Sequence, residues 1–121
     1  VHIHINPDLG TLSLHHFQRS ADPPVGLVFN LIQYAALTLM LAQVLGYRAY
    51  TLVYTTSDTH IYRRQMDDVL TLTSVQPQAL PTVTFTEEGS QVRDLFAFRP
   101  QHFTVADYHP QNERMKIWTP V

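Results

Sequence analysis

The stretch Gln18-Arg19-Ser20-Ala21-Asp22 sets an amide, a guanidinium, a hydroxyl and a carboxylate almost side by side. A guanidinium is always charged and donates two hydrogen bonds in one plane, so Arg19 beside Ser20 suits a phosphate. The plainer reading is a surface Arg19 paired with Asp22. Asn30 lies a short way into an apolar run. Its amide offers a donor and an acceptor together, which matches the edge of a pyrimidine ring. A buried Asn satisfied by backbone is the simpler alternative. In Asp58-Thr59-His60-Ile61-Tyr62 an imidazole and a phenol stand two residues apart. In extended backbone, residues i and i+2 project to one side, and both groups could then bond a sugar hydroxyl. The alternative is a helix-start His and a packed Tyr. His2, His4, His15 and His16 raise the question of a metal. Zinc needs three or four converging ligands, and neither Cys nor carboxylate joins them. Alternating polar residues on a solvated strand face explain them more simply.

The elements that must carry these groups follow from periodicity. Val1 to Ile5 alternates with period two, Asn6-Pro7-Asp8-Leu9-Gly10 has turn residues, and Thr11 to Ser20 returns as a second strand. After Pro23-Pro24 and Gly26, the run to Tyr47 is apolar nearly all round. It predicts a helix of about five to six turns, roughly 30 Å, buried at the centre of a domain or spanning a membrane. No Lys/Arg cluster flanks its start and strands surround it, so the buried helix is preferred. Gly46 is placed as its C-cap. Tyr50 to Thr55 reads as a strand buried on both faces. Asp58 or Thr59 is expected to cap a helix from His60 to Leu72 whose Arg63, Arg64, Asp67 and Asp68 form a solvated face. Pro77 and Pro81 bracket a linker before a short strand, Thr82 to Thr86. Glu87 to Ser90 reads as a turn, Val92 to Phe96 as a helical turn, Phe103 to Tyr108 as a last strand, and the residues from His109 as a polar tail. The order gives an α+β class, of α/β three-layer type.

At 121 residues the chain is one domain or part of one. Charged residues make up 15%, lean enough to suggest a surface covered by a partner subunit or by further sequence. A net charge of −2 with no basic run argues against a nucleic-acid polymer as partner. The chain has no cysteine, hence no disulfide and no thiolate chemistry. It opens directly into a strand pattern, which predicts a start inside a domain and no signal peptide.

Taken together the motifs resemble the C-terminal half of thymidylate synthase. The resemblance runs through Leu12-Ser13-Leu14, Phe17 to Asp22, Gly26 to Asn30, Tyr34 to Leu37, Ala42-Gln43, Asp58 to Tyr62 and Leu80-Pro81, and more loosely to Tyr108 and Lys116. Any one motif is weak; the ordered set is specific and spans essentially the whole chain. It implies a mixed sheet packed on a long buried central helix, with residues 1–121 a single partial domain. It also implies a dUMP pocket. Gln18 lies in the phosphate-binding motif, Arg19 and Ser20 are the phosphate ligands, and Asp22 lies near the uracil and the folate pterin. Asn30 holds the uracil ring, and His60 and Tyr62 hold the deoxyribose hydroxyl. Asp22, Gly26 and Phe29 face the folate co-substrate, 5,10-methylenetetrahydrofolate. No metal, no membrane and no nucleic-acid polymer are implied, and the expected form is a cytoplasmic homodimer. Asn30 favours uracil, since relatives that act on dCMP carry an Asp there.

Several departures accompany these matches. The family's nucleophilic cysteine falls just upstream of Val1 in an ungapped alignment, so the chain carries no catalytic residue of that kind. Val28 stands where a proline is usual, Gln33 where a serine is, and Thr56-Ser57 where glycine is common. The tail has an extra residue before Lys116 and ends early. The expectation is a dUMP-binding half of a methyltransferase, inactive alone. A hydroxymethylase relative and a non-catalytic nucleotide-binding or interaction module are the alternatives.

Overall fold

The computed structural model describes residues 1–111 and 114–120. β1 (His2–Asn6) and β2 (Thr11–Ala21) form an antiparallel hairpin with His2 opposite His15 and Asn6 opposite Thr11. The turn is held by Leu9 N–H on Asn6 Oδ1 (3.1 Å), and Gly10 supplies the positive φ of 61° that closes it. A π-helical turn, Pro23–Leu27, leads directly into α1 (Val28–Leu45). Gly46 stops α1 as expected: at φ 75° it turns left-handed, and Tyr47 N–H bonds Ala42 C=O at 2.8 Å. The chain then returns as β3 (Arg48–Thr59), parallel to β2, giving a mixed sheet of order β1-β2-β3. β2–α1–β3 is thus a crossover unit, which only a parallel pair requires. The observed architecture is α+β, as the order of elements predicts.

Registers fix which residues share a face. Leu12, Leu14, His16, Gln18 and Ser20 of β2 form an inner row with Leu52, Tyr54, Thr56 and Asp58 of β3. Ser13, His15, Phe17 and Arg19 form the outer row with Thr51, Val53 and Thr55; there His15 Nε2 lies 2.8 Å from Thr55 Oγ1. α1 lies on the inner row, where Tyr34 stacks on His16 with ring centroids 3.6 Å apart. Leu12 and Leu14 are wholly buried, and Ala42 and Thr38 close the contact from α1.

The structure corrects five expectations. α1 is not buried all round: only Thr38 and Ala42 are buried, and Phe29 and Ile32 remain 64% and 61% exposed. The sheet covers one side of the helix; the other is met near its C-terminal end, where Gln43 bonds Ser90, and is open at Phe29 and Ile32. Pro23–Leu45 is long and apolar enough to cross a membrane by length and composition alone. β3 is an edge strand and is not buried on both faces: Val53 stands on the outer row, away from α1, and both it and Tyr50 are exposed. Asp58 and Thr59 cap no helix, because they pair with Ser20 and Ala21 and prolong β3. The backbone stays extended to Tyr62, passes through a 3₁₀ turn at Arg63–Gln65, and α2 runs only over Met66–Thr73. Glu87 to Ser90 is a one-turn helix, α3, and the next helical turn is Leu95–Ala97.

A second, two-stranded sheet pairs β4 (Thr82–Phe85) with β5 (Phe103–Ala106). Thr86 caps α3 (Glu87–Ser90) by accepting from Gly89 N–H at 3.1 Å. A Cβ at residue 89 would sit 2.3 Å from His102 C=O, so only glycine fits where the two segments meet. Gln43 of α1 donates to Ser90 C=O and ties this unit to the helix. The tail expected from His109 includes Asn112, Glu113 and Val121, which lie outside the described residues.

Candidate functional site

The C-terminal ends of β2 and β3 and the start of α1 converge, and most of the residues singled out from the sequence meet there. Gln18 and Ser20 point inward from β2. The Gln18 Nε2 donates to Ser20 C=O (2.7 Å), which can only accept; this fixes the amide's orientation. Its Oε1 therefore faces Tyr54, whose hydroxyl donates to it. The same Nε2 also donates to Asn30 Oδ1 at 3.3 Å. Asn30 in turn directs its Nδ2 away from Gln18, toward Gln33 Oε1 at 3.4 Å. One backbone carbonyl thereby sets the donor–acceptor polarity of two amides in series.

Gly26 lies between Asn30 and Asp22: a Cβ there would stand 3.9 Å from Asn30 Oδ1 and 3.9 Å from Asp22 Cβ. Asp22 accepts from Gln65 Nε2 on both carboxylate oxygens, at 3.2 and 3.1 Å. Beyond Gln65, the extended backbone sets His60 and Tyr62 together as their spacing predicts, with ring centroids 4.9 Å apart and edge to face. His60 Nδ1 lies 3.5 Å from an Asp58 carboxylate oxygen. His60 N–H on Ala21 C=O (3.1 Å) stitches this segment to the end of β2.

Arg19 is not brought into that cluster. It belongs to the outer row, exposed, while its neighbour Ser20 belongs to the inner row. Phe29 is also exposed and lines an open groove of about 820 Å³ with Val25, Val28, Leu72 and the tail residue Ile117. Among the described residues, no three His, Asp or Glu side chains converge as a metal site would need.

Three residues of this region were not anticipated. Tyr54 anchors Gln18, and burial pushes its phenol above the ordinary 10.0. Burial likewise pushes the imidazole of His16 below 6.5, and its Nδ1 has no hydrogen-bond partner. A polar residue on the inward phase of an apolar strand was the available signal for Tyr54. Gln65 is wholly buried amid Arg63, Arg64, Met66 and Asp67, and nothing local marks it. Trp118, the chain's single tryptophan, closes on Tyr62 edge to face at 5.6 Å, and Arg64 lies over its ring at 5.2 Å. A lone tryptophan in a polar tail was a signal of docking. In a comparison with models of known protein families, the model for thymidylate synthase matches residues 1–119.

Proposed function

The chain belongs to the thymidylate synthase family, methyltransferases of dTMP biosynthesis that use methylenetetrahydrofolate as co-substrate, and on that premise we propose that it carries the family's dUMP-binding half. The observation that supports this reading best is the chain Ser20 C=O, Gln18, Asn30. It holds one amide in a single polarity at the mouth of the site, as recognition of one pyrimidine edge requires. Asn30 meets the uracil edge, and His60 with Tyr62 meets the sugar hydroxyl. The nucleotide phosphate lies at the end of β2, against Ser20 on the inner row. Asp22, Gly26 and Phe29 face the folate, whose aminobenzoyl ring, its flat and least polar part, suits the groove lined by Val25, Val28 and Ile117. A homodimer forms across the outer row of the sheet, where Phe17 and Val53 are exposed, and the assembly is cytoplasmic.

Methyl transfer in this family starts with a thiolate adding to the pyrimidine ring, and this chain contains no cysteine. Its own residues therefore bind and orient; the chain alone binds dUMP without turnover. Calorimetric titration with dUMP, with Asn30→Ala alongside, tests the reading. Removing the amide that meets the uracil edge should cost about 1–3 kcal/mol, roughly a 5- to 150-fold rise in Kd. Absence of any heat at millimolar dUMP would overturn it.

A further inference from the structure

Gln65 has every polar atom of its amide in use. Its Nε2 donates to both oxygens of Asp22 and to Trp118 C=O at 3.0 Å, while its Oε1 accepts from Tyr62 N–H at 2.9 Å. Asp22 and the Trp118 carbonyl accept, and the Tyr62 N–H donates, so the amide has one allowed orientation. The side chain is 0% exposed, so none of these bonds can be exchanged for water without opening the site. Three segments distant in sequence meet on this group: the end of β2, the turn after β3 and the tail.

We propose that Gln65 is a positioning residue that locks the tail at Trp118 to the Asp22 carboxylate, so that docking of the tail and orientation of Asp22 are one event. The role given to Asp22 toward the folate rests on the function proposed above; the lock itself does not. With the tail in place, both amide hydrogens are shared between Asp22 and Trp118, and the carboxylate is held by both its oxygens. With the tail away, Gln65 loses its second acceptor and Asp22 loses the group that fixes its direction. The charged and titratable groups that face Gln65 or its partners are Asp22, just past β2, Tyr62, Arg63 and Arg64 of its own turn, and His60 with Asp58 behind the Tyr62 ring. Lys116 comes from the tail.

Trp118 is the chain's only tryptophan, so its fluorescence reports docking directly. The experiment is acrylamide quenching of the intact chain, wild type and Gln65→Glu, from pH 8 to pH 5. A carboxylate at residue 65 faces Asp22 and the Trp118 carbonyl with no hydrogen to donate. The expected result at pH 8 is a quenching constant at least twice that of wild type. At pH 5 the new carboxyl, its titration raised by the neighbouring Asp22, regains a proton to donate, and quenching returns to the wild-type value. Gln65→Met, run in parallel, should stay released at both pH values. With dUMP and tetrahydrofolate as probes, Gln65→Glu at pH 8 should weaken tetrahydrofolate about tenfold and leave dUMP within twofold.

Wild-type quenching in both variants at pH 8 would overturn the proposal. So would release in Gln65→Glu that acid does not reverse while circular dichroism stays native, since that marks simple loss of fit. If Gln65→Met fails to fold, the acid reversal in Gln65→Glu decides alone. If both variants fail to fold, acrylamide quenching of Asp22→Asn and Asp22→Leu decides. The asparagine keeps an acceptor for Gln65 and should hold Trp118 as wild type does; the leucine should release it, and equal quenching in the two would overturn the lock. If wild type binds no dUMP, the function proposed above fails, and the pH response of Trp118, which needs no ligand, still decides the lock.

Discussion

Gln18→Glu should reverse the base preference of the site. In the wild-type chain Gln18 Nε2 holds Asn30 Oδ1, so Asn30 turns its Nδ2 toward the open side. On the function proposed above, a uracil edge, with O4 accepting, meets that donor. In Gln18→Glu the carboxylate only accepts. Tyr54 still donates to one oxygen, and Asn30 must rotate its amide to donate to the other, carrying Oδ1 outward. That polarity matches cytosine, whose amino group donates. A two-bond match between an amide and a base edge is worth about 1–3 kcal/mol of discrimination, or about 5- to 150-fold in the ratio of Kd values. The Ser20 carbonyl loses its donor at the same time, which should lower stability by about 1–3 kcal/mol. Calorimetric titration of wild type and variant with dUMP and dCMP measures the ratio, and thermal melting measures the stability. Gln18→Leu, which has no polarity, serves as the control and should weaken both nucleotides alike. A folded Gln18→Glu whose dUMP-to-dCMP ratio stays within twofold of wild type would refute the relay.

Leu14, wholly buried between the sheet and α1, should cost about 2–5 kcal/mol as Leu14→Ala in urea unfolding; a loss under about 1 kcal/mol would place the core elsewhere. Gly89→Ala forces a methyl against His102 C=O and should destabilise the β4–β5 unit by about 1–3 kcal/mol, read as earlier cleavage of that unit in limited proteolysis. His16 binds its proton less readily folded than unfolded, because burial lowers its pKa from 6.5. The unfolded state therefore takes up protons first as pH falls, and stability from this group is full above about pH 6.5 and lost as pH drops through the folded value. His16→Phe should flatten that part of the pH–stability curve in melts between pH 8 and pH 5; an unchanged slope would contradict the burial of its ring.

Much of the framework was legible in local pattern. Period two in Val1 to Ile5 and the turn residues at Asn6 to Gly10 specify the hairpin, because alternation and left-handed turn positions are properties of a few adjacent residues. Gly46 marks the end of α1 for the same reason. The two-residue spacing of His60 and Tyr62 brings their rings together once the backbone is extended. The sequence alone also carries the family, through the ordered motifs from Leu12 to Lys116. What it could not decide depends on partners distant along the chain. Asp58 and Thr59 have the composition of a helix cap, yet their pairing with Ser20 and Ala21 draws them into β3 and delays α2 to Met66. Arg19 and Ser20 are neighbours in sequence and lie on opposite faces of a strand. The apolar run of α1 says that the helix will be covered, but only the fold shows that the sheet covers one side of it. Gln65 has the composition of a surface residue. It is buried because Asp22, Tyr62 and Trp118 arrive around it from three parts of the chain, and a polar side chain enters a protein interior only where such partners satisfy it.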